Sequence, residues 1–81
     1  MFMMIPLSYI NPGDSARIIC LANDIDMAAR LRDLGFISGS MISCVLQKPN
    51  KHIAAYLVRG TVIALREEDS RFILVEKEDA R

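Results

Sequence analysis

The chain has 81 residues, 52% of them hydrophobic and 25% charged, a composition that indicates one small globular domain and excludes a disordered chain. Ten basic and ten acidic side chains cancel to a formal charge of zero. The sequence therefore predicts neither the basic face that a nucleic acid requires nor attachment to an anionic membrane. No segment approaches the run of about 20 apolar residues that a membrane helix needs, and no secretory signal is visible, so we expect a cytoplasmic protein without membrane insertion.

The N-terminal residues predict a turn followed by a strand. We expect residues 1–6 to be frayed. Pro12 and Gly13 supply the fixed and the positive backbone angle of a type II turn. Residues 16–21 are rich in β-branched side chains and predict the first core strand.

The pattern then changes to that of a helix over residues 24–34. Asn23 or Asp24 can accept hydrogen bonds from the free amides at its start. Gly35 can adopt the left-handed conformation that ends a helix, after which Phe36 can fold back on the last turn. The apolar residues at helical spacing, which we expect on one face, are Met27, Ala28, Leu31 and Leu34.

Four further strands are expected after the helix. They cover residues 42–47, 53–59, 61–64 and 71–76, with turns at Gly39 and Gly60, one helical turn at 65–69 and a frayed end at 77–81. About five short strands with one helix after the first core strand predict a mainly β fold. Because a flat sheet of this size exposes unpaired edges, we expect a small closed or partly closed barrel, as a single domain over residues 1–81.

The side chains that carry chemistry are few and scattered. Cys20, Cys44 and His52 are far apart in sequence, whereas a structural zinc site needs four ligands, commonly with closely spaced cysteines. No glycine-rich phosphate loop is present. We therefore expect no enzymatic activity, no cofactor and no metal site, with both cysteines reduced in the core. The sequence leaves open a weak metal site at His52 shared between subunits, and weak self-association.

Several short motifs occur in a fixed order along the chain. They are Pro12-Gly13, Arg30-Leu31, Leu34-Gly35-Phe36, Gly39, Val58-Arg59-Gly60, Ile63-Ala64-Leu65-Arg66 and Ile73-Leu74-Val75. In this order and spacing, from residue 7 to about residue 76, the chain resembles the FeoA family of small cytosolic accessory proteins of bacterial ferrous iron uptake. Ser38 departs from the family, which often has proline there, and should weaken the turn only slightly.

The resemblance implies an SH3-like barrel and a partner. The partner is the FeoB-type membrane transporter, which carries a cytosolic GTPase domain and moves ferrous iron. Our first hypothesis is docking on this transporter through an exposed surface. The residues expected at that surface are Arg30, Asp33, Phe36, Ile37, Arg59 and Arg66.

Two points about this surface stay open in the sequence. An exposed aromatic beside arginine is a common interface anchor, yet Phe36 packing only against the helix end is an equally good interpretation. In a sharper version, Arg30, Arg59 or Arg66 acts as an arginine finger on the transporter's GTPase. We favour docking alone, because Arg59 and Arg66 can instead serve the barrel through backbone or ion-pair contacts.

The alternative is a stand-alone SH3-like peptide- or protein-binding regulatory module, related to the C-terminal domain of iron-dependent repressors. Such a module needs an aromatic-lined groove. The aromatic residues available for it are Phe2, Tyr9, Phe36, Tyr56 and Phe72, without tryptophan. A small RNA-binding barrel is a third hypothesis, which the neutral charge disfavours.

Overall fold

Strands are the main regular secondary structure of the chain, as the sequence predicts. The computed structural model describes residues 2–78. Within them, six strands form one antiparallel sheet in the order β1-β6-β2-β3-β4-β5. The strands are β1 (Phe2–Pro6), β2 (Ser15–Leu21), β3 (Met41–Lys48), β4 (Ile53–Val58), β5 (Thr61–Arg66) and β6 (Ile73–Glu78). The helices are α1 (Ile25–Asp33) and the single turn α2 (Glu67–Ser70), with short 3-10 turns at Leu7–Tyr9 and Pro49–Lys51.

The first strand corrects the sequence analysis. The expectation of a frayed start is wrong for residues 2–6, which form β1 and pair antiparallel with β6. This pairing also carries β6 beyond its expected end, through Glu78, so the expectation of a frayed end is wrong for residues 77 and 78. Pro6 is tolerated because it ends an edge strand, where a missing N–H does not interrupt the sheet. The expectations for residue 1 and for residues 79–81 fall outside the described residues.

The helix begins and ends as its sequence indicates. Asp24 is its N-terminal cap, and the carboxylate accepts a hydrogen bond of 2.8 Å from the Met27 amide. One carboxylate thus satisfies one of the amides that lack a partner inside the helix. Ala28 and Leu31 are buried, while Arg30 lies on the exposed side. Within residues 2–78, neither helix has the length and apolar character needed to cross a membrane.

The core lies inside the curved sheet, closed at one side by α1. Along β2 and β3 buried side chains alternate with exposed ones, as expected of strands with one face on the core. The fully buried side chains of the core include Leu7, Ile10, Ile18, Leu31, Phe36, Ile42, Tyr56, Val58, Ile73 and Val75. Four of the six strands, β2, β3, β4 and β6, and helix α1 contribute to this list, so the core holds together segments that are distant in sequence.

The predicted turn before β2 is present and is tied to the opposite end of the chain. Gly13 has φ +94°, and the Asp14 amide donates to the Asn11 carbonyl at 2.9 Å. The Asp14 carboxylate accepts hydrogen bonds from the Lys77 ammonium at 2.9 Å and from the Asn11 amide at 3.0 Å. The Lys77 contact first, and the Asn11 amide second, lower the pKa of Asp14 below its ordinary value of 3.8.

This carboxylate should make the stability of the fold depend on acidity. Because its pKa is lower in the folded state, its contribution is present above pH 3.8 and is lost as the pH falls through the folded-state value. We expect Asp14→Asn to reduce the loss of stability between neutral and strongly acidic pH, measured by urea unfolding at a series of pH values. Asp33→Asn, at an exposed carboxylate without an ion pair to another residue of the described chain, is the control. Equal pH dependence of wild type and Asp14→Asn would contradict this role.

Candidate docking surface

The C-terminal end of α1 is closed by a double hydrogen bond. The Gly35 amide donates to the Arg32 carbonyl at 3.0 Å, and the Phe36 amide donates to the Leu31 carbonyl at 2.9 Å. This is the Schellman arrangement, which needs a left-handed residue just beyond the helix. Gly35 supplies it with φ +107°. The predicted cap is therefore confirmed, and it reverses the chain direction.

This reversal decides between the two interpretations of Phe36 and corrects the position expected for Leu34. Phe36 is fully buried in the core, together with Leu31. Leu34, which we expected on the buried face of the helix, is 49% exposed. The expectation that Phe36 is an exposed aromatic anchor is wrong, because its ring packs at the end of the helix and cannot meet a partner.

The tip of the β4–β5 hairpin lies against the same helix end. Arg59 and Gly60 form a two-residue turn with φ values of +50° and +80°, the combination found in tight hairpins. A Cβ atom placed on Gly35 would lie 2.9 Å from the Cδ atom of Arg59. The Arg59 side chain can lie this close to the backbone only because residue 35 is glycine and has no Cβ atom. The stem of the Arg59 side chain thus lies at the C-terminal end of α1, where the helix dipole favours a cation.

Four of the six residues predicted at a partner surface therefore lie around one structural feature. We call this feature the helix-end surface, and its exposed members are Arg30, Asp33, Leu34, Ile37 and Arg59. Ile37 is 42% exposed, and it follows the buried pair formed by Gly35 and Phe36. The surface combines two exposed apolar side chains with two arginines and one carboxylate. Leu34 is the member that sequence reasoning missed.

Arg66 does not belong to this surface. It ends β5, whereas Arg59 precedes the start of β5. A strand of this length separates them by about 17 Å. Arg66 instead lies near the acidic turn α2, where the Oε1 atom of Glu67 is 3.1 Å from the Nδ1 atom of His52, within hydrogen-bond distance.

The cleft beside this acidic turn is not the aromatic-lined groove that a peptide-binding module would need. A cleft of about 270 Å³ is lined by Ser8, Gln47, Pro49, His52, Ile53, Ala54, Tyr56, Glu67 and Ser70. Tyr56 is the aromatic residue of this lining, and its side chain is 1% exposed. Burial raises the pKa of Tyr56, whose hydroxyl hydrogen-bonds with Ser70. The cleft therefore offers a proline-rich ligand no pair of exposed rings to bind between.

The cysteines and the histidine follow the sequence predictions only in part. Cys44 is buried, and burial raises the pKa of its thiol. Cys20 is exposed, so the expectation that both cysteines lie in the core is wrong for Cys20. Its strand carries an irregularity in its pairing with β6 between Ile18 and Cys20, which breaks the alternation of buried and exposed positions. Within the described residues, no three His, Cys, Asp or Glu side chains are grouped so as to hold a metal ion.

The model of the FeoA domain matches the chain over residues 5–77. The chain belongs to the FeoA family. No curated protein matches it in sequence.

Solved structures of other FeoA proteins share this fold. The iron(II) transport protein A of Clostridium thermocellum is 29% identical with a TM-score of 0.84, over 90% of this chain and 45% of that one. The FeoA of Stenotrophomonas maltophilia, solved in complex with zinc and described as a prokaryotic SH3 domain protein, is 26% identical with a TM-score of 0.74. That match covers 94% of this chain and 99% of the other. The mainly β, SH3-like class expected from the sequence is thereby confirmed.

The same fold also occurs as part of longer chains, one of them a manganese-dependent transcriptional repressor that is 14% identical with a TM-score of 0.86, over 93% of this chain and 37% of that one. The IdeR protein of T. acidophilum is 22% identical with a TM-score of 0.80, over 93% of this chain and 34% of that one. At this identity the likeness concerns the fold alone. It agrees with the expected structural relation to a domain of metal-dependent repressors.

Proposed function

We propose that this protein is a cytoplasmic, non-catalytic accessory protein of ferrous iron uptake that docks on an FeoB-type transporter through the helix-end surface. Membership of the FeoA family supports the role in iron uptake. The observation that supports this particular surface is the exposure of Leu34 and Ile37 beside Arg30 and Arg59. Apolar side chains bordered by arginine are typical of the energetically important parts of protein interfaces.

The geometry of the helix-end surface is suited to binding a preformed partner. Its backbone is fixed by the two hydrogen bonds at the end of α1 and by the contact between Arg59 and Gly35. A surface that is already ordered loses little conformational entropy when it binds. Arg30 and Arg59 have no hydrogen bond or ion pair to other side chains of residues 3–77, so their charged groups are free to contact acidic groups of the transporter.

Ile37→Glu should weaken binding to the transporter at least about tenfold. The substitution places a charge where an apolar side chain would be buried, which should cost about 1.4 kcal/mol of binding free energy or more at an interface centre. The measurement is the affinity of the purified protein for the full-length transporter in detergent micelles, by biolayer interferometry. The fold of the variant is checked by its thermal unfolding curve, because Ile37 is partly buried.

Ile25→Glu is the matched control. Ile25 is 83% exposed at the first turn of α1, so the same substitution is made at the opposite end of the helix. We expect its affinity to equal that of the wild type. If both variants lose binding equally, the helix-end surface is not the docking site, and if the wild type does not bind at all, the proposed partner is wrong.

The same complex separates docking from an arginine finger. GTP hydrolysis by the transporter is measured with and without the protein. An unchanged rate removes the arginine hypothesis and leaves docking intact. If the rate rises, Arg30→Ala and Arg59→Ala identify the contributing side chain, while Arg66→Ala is the control at the far end of β5.

A further inference from the structure

Strand β5 leaves one row of its backbone groups without a partner strand. It is the last strand of the sheet, paired on one side with β4 and, within residues 2–78, with no strand on the other. The two-residue turn makes Val58 and Thr61 a hydrogen-bonded pair, and the direction of the backbone groups alternates from there. The residues whose N–H and C=O groups face the open edge are Val62, Ala64 and Arg66.

Apart from Arg66 at its end, this edge lacks the features by which proteins usually protect an edge strand. Those features are charged side chains, proline and bulges. β5 is regularly paired along its whole length, and its first five residues, Thr61 to Leu65, carry neither charge nor proline. Val62 is 59% exposed, and its cross-strand neighbour Leu57 is 40% exposed. The edge is therefore regular, apolar and accessible to another strand.

We propose that this edge binds a second copy of the chain, with the two β5 strands antiparallel about a two-fold axis at Ala64. In this register Ala64 faces its own equivalent, and Val62 of each copy faces Arg66 of the other. All open backbone groups of the three residues are then paired, in about six hydrogen bonds. Alanine is a small residue, so the axis position allows close approach of the two strands.

Charge complementarity identifies the second copy as the occupant. When the register is continued past the strand ends, the hairpin tip with Arg59 lies beside the acidic turn α2 of the other copy. That turn carries the three acidic residues Glu67, Glu68 and Asp69, and its flanking arginines, Arg66 and Arg71, leave one negative charge in excess. The contact occurs twice because of the symmetry. The formal charge of zero also means that two copies do not repel each other as a whole.

The test uses the purified protein alone, so its result does not depend on the transporter. Sedimentation equilibrium from micromolar to millimolar concentration should show the mass rising from 9.1 kDa towards twice that value. Val62→Lys places a cation opposite Arg66 of the second copy, and Val62→Glu places an anion there. Because like charges in facing positions repel and opposite charges attract, the two dissociation constants should differ by about tenfold, with the Lys variant the weaker.

The controls separate this register from other modes of association. Met4→Lys changes a 63% exposed residue on the opposite edge strand β1 and should behave like the wild type. Amide exchange should slow with concentration at Val62, Ala64 and Arg66 but not at Ile63, whose amide already bonds to β4. The proposal is overturned by a wild type that stays monomeric at millimolar concentration, or by equal dissociation constants of the Lys and Glu variants at Val62.

Discussion

Phe36→Ala is expected to lower the free energy of unfolding by about 3–5 kcal/mol. The ring is fully buried, and it packs where the end of α1 meets the core. Its removal takes apolar surface out of a close-packed interior and leaves a cavity that the neighbouring strands cannot fill. A domain of this size has a total stability of roughly 4–12 kcal/mol, so much of the variant should be unfolded at physiological temperature.

Urea unfolding followed by circular dichroism measures this loss, with Phe72→Ala as the control. Phe72 is 43% exposed and contacts the guanidinium of Arg71 at 5.3 Å from its ring centre. Removing the Phe72 ring should lower the free energy of unfolding by about 1 kcal/mol or less. Equal losses in the two variants would contradict the burial of Phe36. Since loss of binding by Phe36→Ala would report unfolding, Ile37→Glu is the informative variant for docking.

The parts of the fold that the sequence predicted are those encoded locally. Asp24 begins α1 through a hydrogen bond to an amide three residues away. Gly13, Gly35, Gly39 and Gly60 all have positive φ, and glycine adopts this conformation without steric cost. Turns and caps of this kind involve neighbouring residues only, so their residue types are sufficient to predict them.

The parts that it did not predict depend on distant contacts. β1 forms because residues 2–6 find a partner in β6, more than sixty residues later, although their own β signal is weak. Leu34 is exposed, although it was expected on the buried face, because the Schellman cap turns the chain, which helical periodicity alone does not describe. Burial of Phe36 is therefore a consequence of the same glycine that ends the helix.

The sequence indicated most of the residues of the helix-end surface but not the contact that brings its two parts together. Arg30, Asp33 and Ile37 are neighbours in sequence, so their proximity could be expected. The contact between Arg59 and Gly35 joins a hairpin tip to a helix end, and no local pattern encodes it. Arg66 was expected at this surface because it is also an arginine of the motifs that occur in a fixed order along the chain. It lies instead at the far end of β5 from Arg59, because a strand of this length separates its two ends by about 17 Å.

Gly35→Ala should be the second most damaging of the substitutions considered, with a loss of about 1–3 kcal/mol from backbone strain alone. Its φ of +107° is unfavourable for any residue with a Cβ, and the new atom would lie 2.9 Å from the Cδ atom of Arg59. Gly39→Ala is the control for the strain, since Gly39 has φ +93° and a Cβ there would meet nothing within 4 Å. Thermal or urea unfolding of both variants should show the larger loss at Gly35.

A double-mutant cycle then isolates the contact with Arg59. Glycine adopts the left-handed conformation at position 59 and carries no side chain, so Arg59→Gly keeps the turn and removes the collision. Gly35→Ala should therefore lower the free energy of unfolding less in the Arg59→Gly background than in the wild type, and the difference measures the coupling between helix end and hairpin tip. Equal costs in both backgrounds would mean that backbone strain accounts for the whole effect. In that case the arginine side chain moves aside freely, and the helix-end surface is less rigid than its use as a preformed docking site requires.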